Sequence, residues 1–134
     1  VQKPTTPAGY TGVPAKALKG NPACIPHHYS PDGKWLAAQD HGGNYATFRV
    51  WDARTGEARL TRDVRNARIP EFSPDGRRLA VPEGSAGNSH IVVFDVATFE
   101  EVKRWPCDAK ADRVVYDRTS KFLAARDGDS VALY

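Results

Sequence analysis

The sequence predicts an all-β fold built from repeated four-stranded antiparallel sheets, and three observations carry that expectation. A hairpin signature recurs: Tyr29-Ser-Pro-Asp-Gly33 leads into Leu36-Ala37, and Phe72-Ser-Pro-Asp-Gly76 into Leu79-Ala80, 43 residues on. A looser copy, Tyr116-Asp-Arg-Thr-Ser120 leading into Leu123-Ala124, follows 44 residues later. A second landmark keeps the same period, because Val50-Trp51-Asp52 and Val93-Phe94-Asp95 are also 43 residues apart. Finally, 11 Gly and 10 Pro punctuate a chain of 134 residues in which no helical periodicity is visible, which favours many short strands.

Each repeat unit reads as four strands in order. In Ser-Pro-Asp-Gly, Pro fixes φ near −65°, Asp can bond the backbone ahead of it, and Gly accepts a positive φ, so the tetrapeptide is a hairpin turn. An aromatic residue enters that turn and Leu-Ala leaves it, which gives a strand on either side. Gly-rich loops are expected next, at His41–Asn44 and Gly84–Asn88. The β-branched and aromatic runs Thr47–Trp51 and Ile91–Phe94 then suit buried third strands. Asp52–Gly56 and Asp95–Phe99 turn the chain into fourth strands near Glu57–Thr61 and Glu100–Trp105. The ends complete the register. Residues 1–10 are expected as an extended tail, and Thr11-Gly12 resembles Thr55-Gly56, so 13–18 should be a lone outer strand. Two full units follow at 22–62 and 66–105, then inner strands within 111–134, the last of them Ser130–Tyr134.

Four strands per unit, with an aromatic-Asp pair closing the third, resemble the WD-repeat β-propeller family. The matching residues are Ser30–Gly33, Val50–Asp52, Thr55-Gly56, Ser73–Gly76 and Val93–Asp95, and the likeness spans about 11–134. The Gly-His pair common before the first strand of that family is replaced here by Gly20-Asn21 and Arg65-Asn66. The resemblance implies a partial propeller of two full blades plus one split between the termini, with the outer strand of one end completing the blade begun at the other. It also implies a non-catalytic protein-interaction or scaffold module, completed by self-association or by a partner chain in a larger complex. The alternative is a lectin-like propeller that binds carbohydrate or another small ligand; an enzyme subunit ranks below both. Three blades alone would leave apolar blade faces open to water, the mark of an interface.

Composition narrows the classes further. Charged residues make up 26% and hydrophobic ones 40%, ordinary for a globular domain. Nineteen Lys+Arg against sixteen Asp+Glu give +3, with the signs interspersed, so no basic stripe points to nucleic acid. No apolar run approaches the ~18 residues of a membrane-spanning helix. Cys24 and Cys107 lack C-x-x-C spacing; two separate thiols are the favoured expectation and a disulfide the other. With Val first and 0 Met, a cleaved leader, a piece of a longer chain and a removed tag all fit, and a periplasmic or extracellular site is the mild expectation.

No catalytic, cofactor or metal site is expected. His27 and His28 are neighbours on a strand and point to opposite faces, while His41 and His90 fall at different places in their loops. Ser30 and Ser73 are explained by their turns, and no nucleophile elbow occurs. Protein binding is instead assigned to the loop-rich end, through His41, Asn44, Arg65, Arg68, Asn88 and His90, together with Trp105 at the end of an outer strand. The loops concerned are Gly20–Ile25, Asp40–Asn44, Arg65–Arg68, Glu83–His90 and Asp108–Asp112.

Overall fold

The computed structural model describes residues 24–42, 45–64, 68–85, 87–107, 113–127 and 130–134. Strands and turns, with no helix, make up these residues. Sheet one contains β1 (Cys24–Tyr29), β2 (Trp35–Gly42), β3 (Tyr45–Asp52) and β4 (Ala58–Val64). Sheet two contains β5 (Glu71–Phe72), β6 (Arg78–Ser85), β7 (Asn88–Asp95) and β8 (Glu101–Cys107). β9 (Val114–Tyr116), β10 (Leu123–Asp127) and β11 (Ser130–Leu133) form the third sheet. Every sheet is antiparallel and runs in chain order, as blades do. The fold is a partial propeller of two full blades and three strands of a third. The expected tail 1–10 and outer strand 13–18 lie outside the described residues.

The hairpin chemistry is visible atom by atom. The Ser30 hydroxyl donates to Asp32 at 2.6 Å and accepts the Trp35 N–H at 3.0 Å, while Asp32 also accepts the Lys34 N–H at 3.0 Å. Ser73 and Asp75 repeat this at 2.6 Å, with the Arg78 and Arg77 N–H groups each at 2.9 Å. Gly33 and Gly76 take φ of 75° and 73°, conformations a side chain disfavours. The third hairpin keeps the device with its two residues exchanged. There Asp117 stands in the serine position and accepts the Thr119, Lys121 and Phe122 N–H groups and the Thr119 hydroxyl. Ser120 fills the glycine position at φ 62°.

Strands run further than the sequence suggests. In the Gly-rich stretches expected as loops, the described residues other than Gly87 are strand: pairing continues to Gly42↔Tyr45 in blade one and Ser85↔Asn88 in blade two. Antiparallel ladders extend until a tight turn must reverse the chain, and a loop of two residues is enough. Pro82 sits inside β6 at no cost to the ladder. Its carbonyl accepts the Arg68 N–H at 2.8 Å on the β5 side, so the missing N–H faces that side too, away from β7.

The alternation of side chains builds the core. Leu79, Val81, Val92 and Phe94 of blade two meet Ala37, Phe48 and Val50 of blade one. On the opposite face Ala80, Ile91 and Val93 meet Val114, Leu123 and Ala125 of the third sheet. Blade two is buried on both faces, which explains the unbroken apolar run Ile91–Phe94 at its centre. The first strands of the three sheets neighbour one another in turn, and Ile69 bridges to Arg113 in parallel.

Candidate interaction surface

In each blade the first hairpin and the turn after the third strand lie at one end of the sheet. The hairpin between the second and third strands lies at the other, loop-rich end. Most of the residues nominated from sequence belong to the loop-rich end. Asn88 is exposed beside the β6–β7 turn, and half-buried His90 pairs across the ladder with Glu83. Arg68 is half-buried where the chain enters blade two. His41 is on β2 opposite Ala46, but its side chain lies outside the described part, as do Asn44 and Arg65 entirely. Trp105 stands apart from this group. It lies on β8 opposite Ile91 and faces the third sheet, with its ring 5.3 Å from that of Tyr134.

A charged cluster ties the first two blades together. Glu83 is buried, and its Oε1 lies 3.2 Å from Arg62 of β4 and 3.3 Å from Arg104 of β8. Arg104 also pairs with Glu101 at 2.7 Å, which holds the Glu101 carboxyl below its usual range and the guanidinium above its own. Arg62 reaches Glu101 at 3.6 Å and lies 5.1 Å from the centre of the Phe94 ring. Arg62 and Arg104 are thus spent on ion pairs inside the fold.

Three concavities open at the hairpin end. One of about 420 Å³ is lined by Asp32, Trp35, Asp52 and Arg54, and one of about 440 Å³ by Lys34, Trp35, Arg77 and Asp95 among others. Their carboxylates are engaged in turns: Asp52 accepts the Arg54 N–H at 2.8 Å, and Asp95 accepts the Ala97 N–H at 2.9 Å while pairing with Arg78. These bonds hold the Asp95 carboxyl below its ordinary range, the Ala97 N–H contributing most. The third concavity, about 260 Å³, opens beside the junction of blade two and the third sheet, with Lys103, Trp105, Tyr116, Lys121 and Tyr134 on its walls. Burial pushes the Tyr116 phenol up to about 12, so it stays protonated. Sequence reasoning nominated Trp105 but not this cavity, because its walls come from two repeats.

The third sheet has one covered face and one open one. Val114, Leu123 and Ala125 point into the core, whereas Val115 (47% exposed), Val131 (71%) and Leu133 (76%) point outward, with Phe122 (60%) beside them. β11 is an edge: its ladder to β10 is complete, and no fourth strand pairs with it among the described residues.

Cys107 is a free, buried thiol 3.5 Å from the Tyr134 hydroxyl. Among the described residues no group of three His, Cys, Asp or Glu side chains could hold a metal ion. No helix among them is long and apolar enough to cross a membrane.

No family model and no curated protein matches the chain. Solved structures do resemble it. A Bacteroides fragilis protein assigned as a 6-phosphogluconolactonase matches with a TM-score of 0.67 at 18% identity, over 87% of this chain and 36% of its own. An Agrobacterium tumefaciens protein assigned as TolB gives 0.61 at 16%, over 86% of this chain and 46% of its own. TolB from Acinetobacter baumannii gives 0.57 at 24%, over 83% and 29% respectively. These neighbours are β-propeller-type folds. The chain is therefore a β-propeller module, and it spans less than half the length of the propellers it resembles.

Proposed function

We propose that this chain is a WD-repeat-like propeller segment acting as a non-catalytic interaction and scaffold module, completed by further copies or by a partner chain. The observation that carries the reading is the third sheet. It presents Val115, Phe122, Val131 and Leu133 to water beside the edge of β11, with which no fourth strand pairs among the described residues. A contiguous apolar face next to a row of backbone donors and acceptors is what folded proteins cover. The WD-like assignment is supported by Trp51-Asp52 and Phe94-Asp95, which end the third strands with the Asp carboxylates capping the turns that follow. The non-catalytic assignment is supported by the hairpin-end cavities, whose carboxylates are committed to turns and to Arg78.

The test is the native mass of the particle, measured by light scattering or native mass spectrometry in its source extract and after purification. The proposal expects a mass above that of one chain, and expects Leu133→Glu to lower it while the β-sheet circular dichroism is kept. A single-chain mass in both settings would overturn it.

A further inference from the structure

Three Asp-Gly pairs occur in the sequence: Asp32-Gly33, Asp75-Gly76 and Asp127-Gly128, of which Gly128 lies outside the described residues. Such a pair is chemically vulnerable, because glycine has no side chain to shield its backbone nitrogen from the preceding carboxyl. The Gly nitrogen can attack Cγ of the protonated Asp side chain. A C–N bond forms, the C–OH bond breaks, and the hydroxyl leaves as water with the proton of the amide. Water then opens the resulting succinimide ring at either carbonyl, which restores aspartate or reroutes the chain as isoaspartate. No oxidant, reductant or further reactant is needed.

The first two pairs lie in the Ser-Pro-Asp-Gly turns, where Asp32 and Asp75 are exposed to water. In each turn one serine holds both reacting groups. The Ser30 carbonyl accepts the Gly33 N–H at 2.8 Å, and its hydroxyl donates to Asp32 Oδ1 at 2.6 Å. Ser73 holds the Gly76 N–H and Asp75 Oδ1 at the same distances. A second donor, the N–H of Lys34 or Arg77, reaches the same oxygen at 3.0 or 2.9 Å. The serines are themselves anchored, because both are buried and accept the Trp35 and Arg78 N–H groups. Their hydroxyls are the chief cause holding both carboxyls below the usual range, so the neutral acid that reacts is scarce at neutral pH. In the third hairpin Asp117 is followed by Arg118; there is no Asp-Gly pair, and no serine stands in the equivalent place.

We propose that Asp32 and Asp75 are latent isomerisation sites, and that Ser30 and Ser73 are the locks that keep them as aspartate. Ring closure requires the carboxyl to leave the serine hydroxyl and turn toward a nitrogen whose proton is held by the serine carbonyl. Both bonds must break within one turn before the C–N bond can form. The lock is local, since each serine serves the Asp two residues ahead and the Gly three residues ahead, and protects no other turn. Isoaspartate adds a methylene to the main chain and moves the carboxylate, which removes the bonds that close the hairpin. The serines therefore give the blade ends chemical durability as well as shape.

The test stores the folded full chain at neutral pH and body temperature for several weeks. Isoaspartate is then measured at each pair separately, by peptide mass spectrometry against synthetic isoaspartyl standards. A parallel sample unfolded in guanidinium chloride gives the unlocked rate. In the folded parent, Asp32 and Asp75 should both isomerise at least tenfold more slowly than in the unfolded sample. Ser30→Ala should speed Asp32 about fivefold and leave Asp75 unchanged, and Ser73→Ala should do the converse, the factor expected for one lost hydrogen bond. Each variant is read with its β-sheet circular dichroism matched to the parent, and either one suffices, because the other turn in the same molecule is the control. Parent sites as fast as in the unfolded chain overturn the proposal, as does an alanine variant whose own site keeps the parental rate. Equal acceleration of both sites by one alanine variant means that opening of the whole fold sets the rate, and overturns the lock as well.

Discussion

Phe99 offers a prediction whose sign is unusual. The residue takes φ 56° where blade one has Gly56 at φ 72°, a conformation that costs a side chain about 1 kcal/mol. Its ring is 7% exposed and packs edge-on against Trp35 between the first two blades. Truncation to Ala removes the packed ring but keeps a Cβ in the strained backbone, so Phe99→Ala should cost about 3–5 kcal/mol. Phe99→Gly opens the same cavity but relieves the strain, so its cost should be about 1 kcal/mol smaller. Glycine is normally the more damaging replacement; at this position the order inverts. Urea unfolding followed by tryptophan fluorescence measures both, with Trp35 reporting on the junction itself. Two results would refute the reasoning: a glycine variant no more stable than the alanine variant, or a loss below about 1 kcal/mol for both.

Three further outcomes follow from the same contacts. Glu83→Ala removes the acid shared by Arg62 and Arg104, whose side chains are partly exposed and can rehydrate, so a loss of about 1–3 kcal/mol is expected in thermal melts. The carboxyls of Asp32, Asp75 and Asp117 are held below their usual range, chiefly by the hydroxyls of Ser30, Ser73 and Thr119. Being depressed in the fold, they contribute stability that is present above about pH 4 and is lost as pH falls through their folded values; Asp75→Asn should therefore flatten the acid limb of a stability-versus-pH curve, and an unchanged limb would count against the hydrogen bonds. Ser120→Gly relieves a left-handed serine but deletes the hydroxyl that accepts the Asp75 N–H at 3.0 Å, so a melting temperature within a few degrees of the parent is expected.

The all-β class and the blade period were legible in the sequence because turns repeat more strictly than strands. Ser30-Pro-Asp-Gly33 and Ser73-Pro-Asp-Gly76 satisfy one local geometry, and that geometry shows in four consecutive residues. The third hairpin was harder to read, since Asp117 and Thr119 exchange the acid and hydroxyl positions and Ser120 replaces the glycine. The carboxylate of Asp117 can accept all the bonds that the serine and aspartate otherwise share, so the turn survives without its signature. Strand ends were misjudged at the Gly-rich stretches because glycine marks a place where a chain can turn early, and a ladder with good partners on both sides runs on past it. The candidate site was less legible still. Loop position nominated Asn88 and His90, whereas the junction cavity depends on which repeat columns change character. The signal was present in the pairs Trp35/Arg78 and Leu60/Lys103, apolar in one repeat and cationic in the next, but it acquires meaning only once register shows that both members of each pair face a junction.

The same logic accounts for the only two non-glycine residues with positive φ among those described. Phe99 and Ser120 both occupy positions where the neighbouring repeat has glycine, and both sit where one sheet meets the next. Phe99 projects its ring against Trp35 of blade one, and Ser120 accepts a backbone hydrogen bond from Asp75 of blade two. Each exchanges local backbone strain for a contact that joins two sheets. The strain sits at the hairpin end in both cases, the same end at which the three concavities open. These turn contacts add to the buried clusters along the sheet faces and to the Glu83 ion pairs that already hold the blades together.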